Sequence, residues 1–244
     1  MYAVFYYGFT NHNGAFTFEN FFNVWKYSGV FLRSIYFTSI STLLCIIIGY
    51  PVAFTISRLS PKWQKISITA ITLPMWVNSL LITYAIMTLL EINGPINGLL
   101  SFLNFEKVSL VNTRFAVLFG MVYNSICYVV LPIHSSLSKI DLGIIQAAKD
   151  LGANELKTFI KIIFPLSIPG ILSGFAMTFG PSMSNFIISK MLGGNTSLLI
   201  GELVELKFLG NAYDPHSGSA LALVLTLFIV LCTGLANQIQ KYSR

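Results

Sequence analysis

The sequence contains little charge for its length. Of its 244 residues, 10% are Asp, Glu, Lys or Arg and 55% are hydrophobic. A soluble domain is about a quarter charged, so this composition excludes an ordinary soluble protein. The net charge of +6 would suit nucleic acid in a polar protein, but such an apolar chain is not expected to bind it. We predict an integral protein of the plasma or inner membrane, in contact with the lipid bilayer.

Cysteine and the common catalytic motifs are also scarce. The three cysteines, Cys45, Cys127 and Cys232, lie far apart in apolar segments, without CxxC spacing or a Cys/His cluster. They predict buried thiols, with neither a disulfide frame nor a metal site. The sequence lacks G-x-x-x-x-G-K-[ST], HExxH and G-x-S-x-G. We therefore expect no catalytic residue and no cofactor in this chain, and any ATP used must be hydrolysed by a partner.

Uncharged, apolar stretches recur along the chain. A membrane-crossing helix needs about 20 mostly apolar residues, because lipid offers no partner to free backbone groups. Five stretches meet this requirement, at residues 34–57, 66–90, 115–133, 162–189 and 217–240. Pro74 should open the local helix in the second, and the fourth should be broken by Pro165, Pro169, Gly180 and Pro181. The predicted fold class is all-α, a polytopic transmembrane helical bundle.

The charges between the spans predict its orientation. Short loops rich in Lys and Arg stay in the cytoplasm. Segments 58–65, 139–161 and 241–244 carry nine basic and three acidic residues, whereas the segments on the other side carry six of each. The first set is therefore predicted to be cytoplasmic, which places the C-terminus inside the cell.

Residues 1–33 are then an extracytoplasmic or interfacial segment, and residues 34–244 form the transmembrane domain. The N-terminal segment is rich in aromatic residues, as at a membrane interface, and lacks the pattern of a signal peptide. We expect "YAVFYYGF" to be the end of a preceding span. Two further outer segments are predicted, at 91–114 with the turn-forming "NGPINGLL" and at 190–216, where Gly193 and Gly194 precede an amphipathic stretch.

A polar insert at residues 139–161 interrupts the apolar chain on its predicted cytoplasmic side. Ile144, Ala148 and Leu151 share one helical face. Gly152 readily takes a positive φ, and Asn154 can N-cap a second helix. The apolar residues predicted to line one side of that helix are Leu156, Phe159, Ile160 and Ile163. These two short amphipathic helices can rest on lipid headgroups or dock a cytoplasmic partner, and the residues alone leave both open.

The insert also resembles a signature of ABC-importer permeases, E-A-A-x-x-x-G-x(9)-I-x-L-P. Gln146-Ala147-Ala148, Gly152, Ile162 and Pro165 fall at the family's spacing. Gln146 stands where the family usually has Glu, and Phe164 where it has Leu.

Other segments are similar to permeases of spermidine/putrescine importers over nearly the whole chain: "FTFENFFNVW", "GYPVAF", "LPMWVNSLL", "LGANELKTFIKIIFPLSIPGI" and "MLGGNTSLLIGELVELKFL". Two positions depart from that family. Lys190 stands where an acidic residue often precedes the M/L-x-G-G segment, and Ile82 where an Arg often follows W-x-N-S.

The resemblance implies the fold of a type I ABC-importer permease, with the family's first helix missing from the five spans seen here. It implies polyamine transport, with three kinds of partner besides lipid: a second homologous permease, two ATPase subunits that bind ATP and Mg, and an extracytoplasmic binding protein. It also implies that the insert couples to the ATPase. The implied coupling residues are Gln146, Ala147, Ala148, Lys149, Asp150, Leu151, Gly152 and Ala153.

Polar and aromatic residues in or near the spans are candidates for the substrate pathway. At membrane depth, such groups either bond to another helix or face a cavity, and aromatic faces attract ammonium groups. The predicted pathway residues are Trp76, Asn78, Tyr84, Tyr123, Asn124, Asn185, Glu202 and Glu205. The two glutamates are expected to supply negative charge on the outer side, and interhelical bonding is the alternative for the asparagines.

Two other functions compete with a permease subunit. A secondary transporter or channel for small polar solutes needs no ATPase, but ion coupling favours buried carboxylates, and no Asp or Glu lies in a predicted span. A membrane scaffold would use the insert only to bind lipid. Neither accounts for the resemblance of the insert to a coupling signature.

Overall fold

The computed structural model describes residues 2–11, 14–194, 197–210 and 213–242. Within these ranges the regular elements are helices, apart from an isolated antiparallel bridge between Thr10 and Phe16. The α-helices are α1 (Tyr2–Phe9), α2 (Glu19–Val24), α3 (Ser28–Ser57), α4 (Pro61–Thr72), α5 (Ser79–Leu90), α6 (Pro95–Phe102), α7 (Arg114–Leu137), α8 (Leu142–Asp150), α9 (Glu155–Thr158), α10 (Phe164–Ser184), α11 (Ile200–Leu209) and α12 (Pro215–Tyr242).

The predicted all-helical, polytopic class is confirmed. In the part of the chain that the structure describes, five helical stretches are long and apolar enough to cross a membrane: Glu19–Ser57, Ser79–Phe102, Arg114–Leu137, Glu155–Ser184 and Pro215–Gln240. Their most apolar windows are only 22–50% buried within the chain. Each span therefore keeps much apolar surface outside the chain's own interior, as membrane-spanning helices do.

The second span differs from its prediction. Its bounds are Ser79–Phe102 and not residues 66–90. The helix opens at Pro74, as predicted: α4 ends at Thr72, a 3₁₀ turn covers Leu73–Trp76, and α5 begins at Ser79. Pro74 lies in that turn and has no backbone N–H to continue the α-helical bonding. Asn78 caps the new helix, since its Oδ1 accepts a hydrogen bond from Leu80 N at 2.8 Å.

The fourth span is not broken at its prolines, contrary to prediction. The helix continues from α9 through a π-helical turn, Phe159–Ile163, into α10, which contains Pro165, Pro169 and Pro181. The π-helical turn directly precedes Pro165, and such turns accommodate interrupted α-helical bonding. The break comes later, at Asn185, so this span ends at Ser184 and not at residue 189.

Internal contacts divide the chain into two compact units. The first consists of Met1–Ser41, Val77–Asn124 and Gly180–Leu231, and the second of Thr42–Trp76, Ser125–Phe179 and Cys232–Arg244. The core of the first unit is Phe37, Ile86, Leu90, Ala116, Val117, Met121, Ile188, Leu192 and Leu199. Buried residues of the second include Ala53, Ile56, Val129, Val130, Ile133 and Ile163. Residues 1–33 therefore pack within a larger unit, and α3 already begins at Ser28.

One buried side chain orders segment 91–114, which is predicted to be extracytoplasmic. The predicted turn and short helix are present, with α6 at Pro95–Phe102. Asn97 is fully buried. Its Nδ2 donates to the carbonyl oxygens of Glu91 and Val108, each at 2.9 Å, and its Oδ1 accepts from Val108 N at 2.8 Å. A single amide thus closes the loop around α6.

Candidate functional site

The polar insert, residues 139–161, folds as two helices joined by a glycine turn, and we call it the coupling segment. Asp141 starts α8 by accepting a hydrogen bond from Gly143 N at 2.8 Å. Gly152 has a φ of +80°, as its sequence position predicts. Gly152 N donates to Lys149 O at 2.9 Å, and Ala153 N donates to Ala148 O at 3.0 Å. These two hydrogen bonds form a Schellman motif, which ends α8 and requires a residue with a positive φ, here Gly152.

The second helix of the coupling segment begins where the sequence predicts. Asn154 Oδ1 accepts a hydrogen bond from Lys157 N at 2.8 Å. Lys149 Nζ lies 3.4 Å from Glu155 Oε1, across the turn. Both side chains of this ion pair are largely exposed, so it contributes little to stability. The backbone turn and the two caps, rather than charge, determine the shape of the segment.

The apolar faces of the coupling segment differ from the prediction. The buried apolar side chain of α8 is Ile145, whereas Ile144 and Leu151 are exposed, Leu151 at 89%. The predicted face of the second helix is divided, with Phe159 and Ile163 packed and Leu156 and Ile160 exposed. Ile145 lines a cavity of about 310 Å³ with Phe54 and Thr158. Periodicity finds apolar residues but does not distinguish a face packed within the chain from one left uncovered.

The coupling segment is attached to two long helices by aromatic contacts. The Phe159 ring contacts Tyr50 and Phe54 of α3, with ring centroids 5.9 and 5.6 Å apart. Tyr50 also makes a hydrogen bond of 2.9 Å to Ser167 of α10. These contacts join the coupling segment to α3 directly and to α10 through Tyr50.

The opposite face of the coupling segment is open. Of its eight predicted coupling residues, Ala148 and Ala153 are half-buried. The exposed ones are Gln146, Ala147, Lys149, Asp150, Leu151 and Gly152. These small and polar residues and the exposed leucine form a surface that the rest of the described chain does not cover.

The predicted pathway asparagines all have structural bonds. Asn78 caps α5, as described above. Asn124 Nδ2 donates to Ser79 Oγ at 3.4 Å, which links α7 to α5. Asn185 Oδ1 accepts from Ile188 N at 3.2 Å, at the start of the next short helix. Interhelical bonding or capping thus explains each of them, and a role in the pathway stays a prediction.

The predicted pathway aromatics are exposed. The exposed fractions of Trp76, Tyr84 and Tyr123 are 87%, 56% and 44%. Tyr123 lines an apolar groove of about 250 Å³ along α5 and α7. Its ring is therefore available to a ligand, a second subunit or lipid.

The two predicted glutamates lie on α11 and meet a lysine. Lys190 Nζ donates to Glu205 Oε1 at 2.8 Å. Glu202 is buried, and this burial raises the pKa of its carboxyl group, as does the charge of Glu205, while the Ser189 hydroxyl opposes the shift. The start of α11 is anchored because Ile200 N donates to Ser34 Oγ at 2.7 Å.

Sequence reasoning missed the contacts of Lys190 and Ser34. Lys190 was identified only as a departure from a family pattern, and its partner lies 15 residues away. The bond from Ile200 to Ser34 spans 166 residues. Local sequence patterns do not reveal contacts between residues this far apart in the sequence.

The cysteine prediction holds for two of three residues. Cys45 and Cys127 are buried and Cys232 is half-buried, and no disulfide joins any two of them. Among the described residues, His, Cys, Asp and Glu form no group of three or more that could hold a metal ion.

Known proteins share both the sequence pattern and the fold. The family of binding-protein-dependent transport system inner membrane components matches residues 31–243. The spermidine/putrescine transport system permease protein PotB of Haemophilus influenzae is 34% identical over 219 residues, which are 88% of this chain and 76% of the relative. PotB of Escherichia coli strain K12 is 36% identical over 207 residues, 84% and 75% of the two chains.

A solved structure shows the same fold at low identity. The structure is of a bacterial ABC transporter involved in the import of the acidic polysaccharide alginate. The superposition has a TM-score of 0.78 at 15% sequence identity, and it covers 93% of this chain and 84% of the chain in the solved structure. The chain therefore belongs to the family of inner-membrane components of binding-protein-dependent transport systems, as a membrane-spanning permease subunit of an ABC importer.

Proposed function

We propose that the importer carries polyamines such as spermidine or putrescine. The observation that carries this proposal is the 34–36% identity, over 84–88% of the chain, to permease proteins of spermidine/putrescine transport systems. Glu202 and Glu205 add chemical support, because carboxylates bind ammonium groups through charge-assisted hydrogen bonds. The exposed rings of Trp76 and Tyr84 supply faces that attract the same cations.

The proposed orientation places the coupling segment and the C-terminus in the cytoplasm. Segments 58–65, 139–161 and 241–244, predicted to be cytoplasmic, all belong to the second unit, and segments 1–33, 91–114 and 190–216 all belong to the first. This grouping supports the topology read from the charges. The outer segments 91–114 and 190–216 then receive an extracytoplasmic binding protein.

The proposed motor is a pair of separate ATPase subunits that bind ATP and Mg²⁺. The open face of residues 146–153 supports docking of one such subunit, and the Phe159 contacts provide the connection to α3 and α10. A second, homologous permease subunit completes the path across the membrane. In this arrangement the chain moves substrate but is not itself an enzyme.

Purification of the intact complex tests the proposal. The chain is purified from its own membranes, its partner chains are identified by mass spectrometry, and the complex is reconstituted in proteoliposomes with the binding protein. We expect spermidine or putrescine, but not a neutral sugar, to stimulate ATP hydrolysis and to be taken up. Polyamine uptake that continues without ATP or ATPase subunits would identify a secondary transporter instead. Stimulation only by an uncharged or anionic solute would refute the polyamine assignment.

A further inference from the structure

Lys190, Glu202 and Glu205 form a charged cluster beside α11, which we call the ammonium site. Glu202 and Glu205 lie three residues apart, on one side of the helix. Lys190 Nζ is 2.8 Å from Glu205 Oε1. The cluster contains two carboxyl groups and one ammonium group, so its charge is not balanced when both acids are ionised.

The carboxyl groups of the ammonium site have unused acceptors. The Oε2 atoms of Glu202 and Glu205 are both buried and have no hydrogen-bond partner. Glu202 is only 8% exposed, and a buried acceptor without a donor is unfavourable. Burial raises the pKa of Glu202 and the charge of Glu205 adds to this effect, while the Ser189 hydroxyl and the charge of Lys190 oppose it. A cationic hydrogen-bond donor would satisfy the two unpaired oxygens.

Exposure changes stepwise across the ammonium site. The side chain of Lys190 is 50% exposed, that of Glu205 is 15% exposed, and Glu202 lies deepest. Lys190 can therefore leave for solvent without any rearrangement of α11. The carboxyl groups stay in place when it leaves, because α11 is anchored through Ile200 and Ser34.

We propose that Lys190 is a tethered competitor for the substrate: its ammonium group holds Glu205 until an ammonium group of the substrate displaces it and binds Glu205 and Glu202 together. This inference rests on the proposed function, which supplies a polyamine as the cation. A primary ammonium group of a polyamine has three N–H donors, as the lysine does. The exchange replaces one Lys190–Glu205 hydrogen bond with an equivalent bond and adds a donor for the unpaired Oε2 atoms.

The exchange keeps binding weak, which suits a site that must pass its substrate onward. The apparent affinity of a site is proportional to the fraction of time in which the site is free. If Lys190 occupies the site for about nine-tenths of the time, its removal strengthens the apparent affinity about tenfold. A lysine that serves only to stabilise the fold predicts no such gain.

Two variants of Lys190 should shift the dissociation constant for spermidine in opposite directions. The measurement is binding of radiolabelled spermidine to the detergent-purified complex without its binding protein. Lys190→Met removes the competitor and keeps the apolar stem, so the dissociation constant should fall about tenfold. Lys190→Arg strengthens the competitor, because a guanidinium group can bind a carboxylate through two parallel bonds, so the dissociation constant should rise. Glu205→Gln should weaken binding at least severalfold.

Controls separate this mechanism from bulk charge and from misfolding. Lys26 is an exposed lysine of the segment 1–33, and Lys26→Met removes the same charge without touching the ammonium site, so the affinity of this variant for spermidine should match that of the wild type. Assembly of each variant is checked by size-exclusion chromatography. The proposal is refuted if Lys190→Met and Lys190→Arg both stay within twofold of the wild type, or if Lys190→Met shows no spermidine binding.

The same complexes distinguish this failure from failure of the proposed function. If the wild-type complex imports spermidine while the Lys190 variants bind it equally well, only the tethered competitor is wrong. If the wild-type complex neither imports spermidine nor hydrolyses ATP in response to it, the polyamine assignment fails and the tethered competitor fails with it.

Discussion

Substitution of Gly152 tests whether the turn of the coupling segment transmits movement. Gly152 has a φ of +80°, and a Cβ at this position would meet no atom within 4 Å. A larger residue therefore meets backbone strain but no clash. Placing an ordinary L-residue in the left-handed region costs about 1–2 kcal/mol, and a β-branched residue fits there least well. At about 1.4 kcal/mol per tenfold, the turn should become roughly 5–30-fold less populated relative to open forms.

A graded series of variants converts this cost into an expected order of activity. Asn enters the left-handed region more readily than other non-glycine residues, so Gly152→Asn should retain most substrate-stimulated ATP hydrolysis. Gly152→Ala should lose part of it and Gly152→Val at least about fivefold, in line with the cost of the turn. Stimulated hydrolysis and uptake are measured in proteoliposomes, and the amount of co-purified ATPase is measured beside them.

Gly29→Val is the matched control. Gly29 also has no atom within 4 Å of a built Cβ, but it lies in α3 without a positive φ. Its substitution should leave hydrolysis and uptake unchanged. Wild-type activity of Gly152→Val in both assays would show that the turn transmits nothing. An activity loss that only follows a loss of assembled complex would show that the glycine serves assembly alone.

Three further predictions follow from single contacts. Asn97→Ala removes three hydrogen bonds from the outer loop and should destabilise the protein by about 2–4 kcal/mol; an unchanged melting temperature would contradict this. Burial raises the pKa of Glu202, so its contribution to stability is lost as the pH rises from the ordinary glutamate range through the raised value. The melting temperature of Glu202→Gln should thus be higher than that of the wild type at pH 8. Thermal scans should show this difference disappearing near pH 4. Trp76→Ala should weaken polyamine uptake about 2–30-fold if its ring attracts an ammonium group by about 0.5–2 kcal/mol, whereas Trp76→Phe should retain more; equal uptake by all three proteins would exclude such a role.

Features decided by neighbouring residues could be predicted from the sequence. The number of spans follows from uncharged length, since lipid forces each long apolar stretch into a helix. The glycine turn and the Asn154 cap of the coupling segment follow from backbone preferences that act within a few residues.

Features decided by tertiary packing could not be predicted in the same way. Pro74 lies in a break whereas Pro169 lies within a continuous helix, because the outcome depends on what satisfies the freed backbone groups. The buried face of α8 depends on the end of α3, which lies far away in sequence. The Lys190–Glu205 pair required the fold to bring α11 against the preceding short helix.

The distribution of charge limits how tightly this chain can hold a polyamine. None of α3, α5, α7, α10 and α12 contains Asp or Glu. Within these helices the groups that can attract a polycation are uncharged, chiefly amides, hydroxyls and aromatic rings, and each attracts it weakly. The acidic pair on α11 is partly neutralised by Lys190, so binding there is also weak. Under the proposed function, tight capture therefore belongs to the binding protein and directed movement to the ATPase, while this chain provides a path on which the substrate does not become trapped.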